Sequence, residues 1–165
     1  MIKKFTKLFE KWAVYSSFLQ RIARIYYRPM VKREIELAAI SENDKVLFIG
    51  GGRLPMSSIL LAEQSKARIG IVDCDKGAIE GAKHFVGKME YRFDFYHAKG
   101  EDIRVQDYDV IVVAKQVMSK QCVLNNLLDQ VKPGTRVVCR VRKVDALIQK
   151  FSTTIEGKTC LINVS

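Results

Sequence analysis

One stretch of this chain restricts its fold more than any other: Val46-Leu47-Phe48-Ile49-Gly50-Gly51-Gly52-Arg53-Leu54-Pro55-Met56-Ser57-Ser58-Ile59-Leu60-Leu61-Ala62, followed by Ile69-Gly70-Ile71-Val72-Asp73. A short continuous apolar run is a strand covered on both faces. The glycines turn the chain, and Pro55 suits the first turn of a helix, where a missing N–H costs nothing. The second apolar run is then a neighbouring strand that ends in a carboxylate. Strand, glycine turn, helix and strand in this order is the unit that wraps a nucleoside at the carboxyl edge of a parallel sheet.

The rest of the chain continues the alternation. Strands are expected at Lys45–Ile49, Ala67–Val72, Arg92–His97, Asp109–Ala114 and Arg136–Val141, and helices at Pro55–Gln64, Lys76–Val86, Lys120–Gln130 and Asp145–Phe151. Residues 153–164 read as a hairpin with Gly157 in its turn. Ahead of the first strand, residues 2–27 lack Gly and Pro and repeat apolar side chains at three- and four-residue steps, from Ile2 through Trp12 to Ile22 and Tyr26. That is an amphipathic helix whose stripe packs on the domain or on a second subunit, with a membrane-surface anchor as the alternative. Pro29 is expected to open another helix, Met30–Ile40. The expectation is an α/β, Rossmann-like methyltransferase fold: a mostly parallel seven-stranded sheet with a C-terminal antiparallel hairpin, preceded by short amphipathic N-terminal helices. Residues 1–42 form the basic helical segment and residues 43–165 the nucleoside-binding domain.

At 165 residues the chain suits one domain able to bury a sizeable core. Cys74, Cys122, Cys139 and Cys160 are widely spaced, with no CxxC or Cys/His pattern, so they read as reduced small hydrophobes in a cytoplasmic protein. No metal-ligating set emerges, and His84 and His97 read as isolated surface or strand residues. The net charge is +10, with nine Lys or Arg in residues 1–33 against the single acid Glu10. Such asymmetry suits nucleic acid, an anionic membrane surface or an acidic small molecule, or is a solvated basic face. No apolar run reaches the roughly 20 residues of a membrane span. Arg21 and Arg24 interrupt what would be the core of a signal peptide.

At the expected nucleoside site, Gly50, Gly51 and Gly52 let the backbone approach a ligand, and the first amides of the following helix favour an anionic group. Asp73, 23 residues after Gly50, is placed to accept from both ribose hydroxyls. Asp75 reads as the cap of the helix from Lys76. A dinucleotide turn wants a third spaced glycine near Pro55, which is missing, whereas a nucleoside without pyrophosphate does not need it. S-adenosylmethionine is such a nucleoside, and its carboxylate suits the turn amides. Its adenine is expected near Lys99-Gly100-Glu101-Asp102, with Glu101 or Asp102 accepting from the exocyclic amine.

These residues resemble the nicotianamine synthase family. The likeness lies in Phe48–Ser58, similar to the family's Phe-Ile-Gly-x-Gly-x-Leu-Pro pattern, and in the Asp73-Cys74-Asp75 turn. It continues in residues 107–114 and in Lys132-Pro133-Gly134 leading to Arg140. The resemblance implies S-adenosylmethionine as co-substrate and adds Leu54, Pro55, Cys74 and Ala114 to the expected donor-binding set. It implies attack on the aminocarboxypropyl carbon next to sulfur instead of the methyl, since an enzyme selects among sulfonium carbons by where it places the nucleophile. It also implies a general base on the helix before the first strand, where Glu34 has the family-like spacing and Glu36 is nearby. A surface ion pair of Glu34 with Lys32 or Arg33 is the competing account. The family carries a larger helical domain ahead of its nucleotide domain, whereas about 40 residues precede the first strand here.

The function expected is an S-adenosylmethionine-dependent transferase acting on a small amine or acid metabolite, by aminocarboxypropyl or methyl transfer. The small-molecule acceptor is its partner, with a homodimer through the N-terminal helix as a further expectation. The alternatives are an RNA methyltransferase, a non-catalytic nucleoside-binding subunit and, more weakly, a dinucleotide-binding domain. Ala114-Lys115-Gln116-Val117 after the fourth strand lacks the Asn-Pro-Pro-Tyr type of motif, which disfavours adenine amino methylation.

Overall fold

The computed structural model describes residues 17–87, 89–140, 153–156 and 159–164. Its elements in chain order are α1 (Ser17–Leu37), β1 (Lys45–Ile49), α2 (Met56–Ser65), β2 (Arg68–Asp73), α3 (Lys76–Val86), β3 (Phe93–His97), β4 (Val110–Val113), α4 (Lys120–Gln130), β5 (Arg136–Arg140), β6 (Thr153–Glu156) and β7 (Thr159–Asn163). The first fifteen residues of the expected N-terminal helix, the helix expected at Asp145–Phe151 and the turn at Gly157 lie outside the described residues.

The strands form one sheet in the order β3-β2-β1-β4-β5-β7-β6. Pairing is parallel from β3 to β5. β7 then runs antiparallel to both β5 and β6, as the C-terminal hairpin predicts. β1 sits in the middle, with β2 on one side and β4 on the other, so the chain reverses direction across the sheet between them. A crevice opens at the carboxyl ends of strands where the order reverses. Here that point lies between Gly50 after β1 and Ala114 after β4.

Successive residues of each strand enter opposite cores, which is why continuous apolar runs are required. Val46, Phe48, Ile69, Ile71, Val110 and Val112 pack toward α1 and α2. Leu47, Ile49, Val72, Ile111, Val113 and Val137 face the other way, toward Val123, Leu124 and Leu127 of α4. Cys139 and Cys160, cross-strand partners on β5 and β7, belong to this second core. Burial and the neighbouring Cys139 push the Cys160 thiol up to about 11. Cys74 and Cys122 instead lie exposed, so only two of the four cysteines act as core hydrophobes.

Helix α1 corrects two expectations. Pro29 lies inside a single helix and opens no new one. The N–H that proline lacks would have met the Ile25 carbonyl, and both residues are exposed, so the orphaned acceptor is open to solvent. The buried face is also different from the expected stripe. Ala23, Val31 and Glu34 point inward, while Ile22 and Tyr26 are exposed. The helix packs along α2, and two arginines of β5 tie down its C-terminal end. Arg136 donates to the carbonyls of Ala38 (2.7 Å) and Ala39 (3.0 Å) and pairs with Asp44. Four residues further along the strand, Arg140 reaches Glu34.

Candidate active site

The glycine turn is built by backbone geometry. Gly50 and Gly52 have φ of +84° and +67°, where a Cβ is strained. The Gly50 and Gly51 amides both donate to the Val72 carbonyl, at 2.8 and 3.3 Å, folding the turn back over the end of β2. A Cβ on Gly50 would lie 2.7 Å from Val117 Cγ2, and one on Gly51 would lie 2.4 Å from Ile71 Cγ2. These two glycines therefore serve close packing of the turn on its own protein, not merely the approach of a ligand.

Asp73 closes the turn. One carboxylate oxygen accepts from the Gly52 amide at 2.9 Å and the other from the Asp75 amide at 2.9 Å. A carboxylate offers about four lone-pair positions, so two stay available on this half-buried group. Asp75 caps α3 as expected, accepting from Gly77 (2.9 Å) and Ala78 (3.3 Å). Cys74 between them is exposed, and its carbonyl lies 3.1 Å from Nε2 of His97. A carbonyl only accepts, which makes Nε2 the protonated nitrogen in this contact.

The other expected donor-binding residues lie along the same edge. Ala114 donates its amide to the Ile49 carbonyl at 3.0 Å and faces Gly50 across the switch point. Gly100 is packed tightly: a Cβ there would stand 2.9 Å from Ile49 Cγ2 and 3.3 Å from Val123. Glu101 is half-buried, and its carbonyl accepts from Asn126, whereas Asp102 is exposed. Leu54 is half-buried and its carbonyl accepts from the Met56 amide at 2.8 Å. Pro55 is buried at the N-cap of α2, so the helix starts one residue later than expected.

Glu34 departs most from a surface role. It is 0% exposed and is gripped by Arg140 through Nε–Oε1 (2.6 Å) and Nη2–Oε2 (2.8 Å). The Arg140 guanidinium also donates to Ser57 Oγ at 3.1 Å and lies 5.0 Å over the Phe48 ring. The remaining backbone acceptor of Arg140 takes a 2.6 Å bond from Lys120 Nζ. A surface pair of Glu34 with Lys32 or Arg33 is thereby overturned. Lys32 instead approaches Glu36 at 3.7 Å, both being exposed. The bidentate geometry and burial make Glu34–Arg140 a rigid, costly element, because two charges leave water only for near-ideal partners. It joins α1, β1, α2 and β5 beside the glycine turn.

Two further features were not anticipated. Arg53, inside the turn, lies across the small-residue face of α3. A Cβ on Gly81 would fall 2.4 Å from Arg53 Cγ, and one on Gly77 would fall 3.0 Å from its Nη2. Glycines at i and i+4 of a helix cost stability in isolation, so their spacing is the signal for a side chain laid across them. Tyr108 is buried over the sheet, its hydroxyl donating to Tyr96 at 3.1 Å. Burial, then the Tyr96 bond, pushes its phenol well above the ordinary range. Among the described residues no group of three His, Cys, Asp or Glu is placed to hold a metal, and no helix is long and apolar enough to cross a membrane.

The model of the family described as nicotianamine synthase protein matches residues 12–151. L-histidine 2-aminobutanoyltransferase of Yersinia pestis is 28% identical over 116 residues, covering 69% of this chain and 43% of the relative. The enzyme of the same name from Pseudomonas aeruginosa (strain UCBPP-PA14) is 26% identical over 113 residues, covering 67% and 43%. The chain thus spans less than half the length of these curated relatives. Among solved structures, a mutant of MtNAS in complex with S-adenosylmethionine superposes with a TM-score of 0.80 at 20% identity, covering 98% of this chain and 73% of that one. An RNA methyltransferase from Salinibacter ruber in complex with S-adenosyl-L-homocysteine gives 0.66 at 20% identity, covering 82% and 88%. At such identities these two structures speak for the fold alone. The match over residues 12–151 takes in both the glycine turn and the Glu34–Arg140 pair, and this chain belongs to the nicotianamine synthase family.

Proposed function

We propose that this chain is a transferase that uses S-adenosylmethionine to place an aminocarboxypropyl group on the amine of a small metabolite. Residues 43–165 form the donor-binding unit, and residues 1–42 supply the Glu34 side of the site. The observation that carries the reading is the Gly52–Asp73 contact at the switch point: it fixes a carboxylate with spare lone pairs where a nucleoside's ribose hydroxyls need acceptors. Gly50, Gly51, Gly52, Leu54 and Pro55 shape the donor's carboxylate end, aided by the positive end of α2. Asp73, Cys74, Gly100, Glu101 and Ala114 border the ribose and adenine. The relatives named for L-histidine make an amino-acid amine the acceptor class we assign. A cytoplasmic setting belongs to the same reading, since the exposed Cys74 thiol borders the site.

In the transfer, the acceptor nitrogen bonds to the side-chain carbon next to sulfur while the C–S bond breaks and its electron pair stays on sulfur. Methylthioadenosine leaves, and the nitrogen sheds one proton. An amine attacks only when neutral, so a nearby carboxylate as proton acceptor raises the rate. Glu34 is assigned that role. Arg140 fixes the orientation of both its oxygens.

Calorimetric titration of the chain with S-adenosylmethionine tests the donor site. Saturable binding that Asp73→Ala weakens at least tenfold is expected. Absence of binding, or equal binding by the variant, contradicts the assignment.

A further inference from the structure

The face of α1 turned away from the sheet carries an apolar stripe that the domain does not cover. Phe18, Ile22, Ile25 and Tyr26 are 70%, 43%, 69% and 71% exposed. At 100° per residue they fall on one arc of the helix, with Pro29 continuing it, opposite Ala23, Val31 and Glu34. Large apolar side chains clustered in this way on a soluble face mark an interaction surface.

Charge selects the occupant. Arg21, Arg28 and Lys32 border the stripe on one side, and Arg33 lies within its arc about two turns beyond Tyr26, all of them exposed. Among the described residues neither Arg21, Arg28 nor Arg33 has an ion-pair partner. A second copy docked face to face would set these cations against one another. The chain's own first residues bring Lys3, Lys4, Lys7 and Lys11, with Glu10 the one acid, so they repel the stripe's borders as well. A nucleic-acid backbone would satisfy the cations but leave four apolar side chains without a partner. An anionic bilayer surface satisfies both, since acyl chains take the apolar residues and headgroup phosphates the flanking cations. No described helix can span a membrane, so the helix lies on the surface.

We propose that the outer face of α1 docks this protein peripherally on anionic lipid, with Phe18, Ile22, Ile25 and Tyr26 inserted and Arg21, Arg28 and Arg33 at headgroup level, Lys32 being paired with Glu36. The active-site edge is built by the opposite face of the same helix, through Glu34. Docking would therefore hold the protein at the membrane without engaging the residues assigned to transfer.

Co-sedimentation of the full chain with vesicles of phosphatidylcholine containing 30% phosphatidylglycerol, against pure phosphatidylcholine, tests the proposal. The expected result is at least tenfold stronger partitioning to the anionic vesicles, falling as salt rises. Arg21→Gln with Arg28→Gln should lower it roughly 25-fold, about fivefold per cation. Ile25→Ser with Tyr26→Ser should lower it at least fivefold. All four positions are exposed, and unchanged circular dichroism and S-adenosylmethionine affinity would separate lost docking from lost folding or a failed donor site. Equal partitioning to neutral and anionic vesicles, or none to either, overturns the proposal. So does a dimer in light scattering that Ile25→Ser with Tyr26→Ser dissociates, or RNA binding at low salt with no lipid binding.

Discussion

Two carboxylates flank the carboxyl edge of the sheet, and they are held in opposite ways. Asp73 is half-buried and its partners are the backbone amides of Gly52 and Asp75, within 21 and 2 residues of it. Glu34 is wholly buried and its partner is one guanidinium, 106 residues away on β5. A carboxylate held by amides needs no second ion beside it and leaves lone pairs for further donors. A carboxylate held by a buried guanidinium makes the fold depend on both ions, because either one alone is an uncompensated charge in a low-dielectric core. The first arrangement suits binding by hydrogen bonds; the second suits a group that must keep one orientation.

The largest test of this contrast is Arg140→Met. It leaves Glu34 enclosed without its counter-ion, and urea denaturation should show a loss of about 3–5 kcal/mol. Adding Glu34→Leu to the same chain should return much of that loss, since an apolar pair of similar volume is often as stable as the ion pair. A loss near zero for Arg140→Met would place the two side chains in a solvated setting and erase the distinction. Asp73→Ala should cost less stability, about 1–2 kcal/mol for two amides that water can reach in part. Its main effect should fall on donor affinity.

The glycine turn offers a smaller and sharper measurement. Gly81→Ala places a methyl where Arg53 Cγ now lies. In the native background it should destabilise by about 1 kcal/mol and weaken donor binding, because the turn must shift. In an Arg53→Ala background the same change should be neutral or stabilising by about 0.5–1 kcal/mol, as expected for glycine replaced by alanine in a helix. Equal effects in both backgrounds would show that Arg53 does not bear on α3. Smallest of all is Lys32→Ala, which removes the exposed pair with Glu36 and should change stability by less than about 0.5 kcal/mol.

What the sequence revealed divides along the same line. The turn, Asp73 and the Asp75 cap were legible because their contacts are local and made by backbone groups whose geometry the residue types dictate. The parallel sheet was legible because β1 and β4 are apolar without interruption. The rotation of α1 was not, since its periodicity offers two apolar faces and packing on α2, with the Glu34–Arg140 pair, decides between them. Glu34 could be singled out by its spacing, yet its partner could not. The available signal was an arginine closing the apolar run Val137-Val138-Cys139, where a buried charge implies a buried counter-ion. Pro29 misled because proline at a helix start and proline on a helix's wet face look alike in sequence.

Mass analysis of the nucleoside released from S-adenosylmethionine, in the presence of an amino-acid acceptor such as L-histidine, tests the central claim most directly. The account predicts methylthioadenosine, formed by the native chain and lost at least a hundredfold in Glu34→Gln, whose donor affinity should stay within a few-fold of native. S-adenosylhomocysteine as the product, or undiminished turnover by Glu34→Gln, would contradict it.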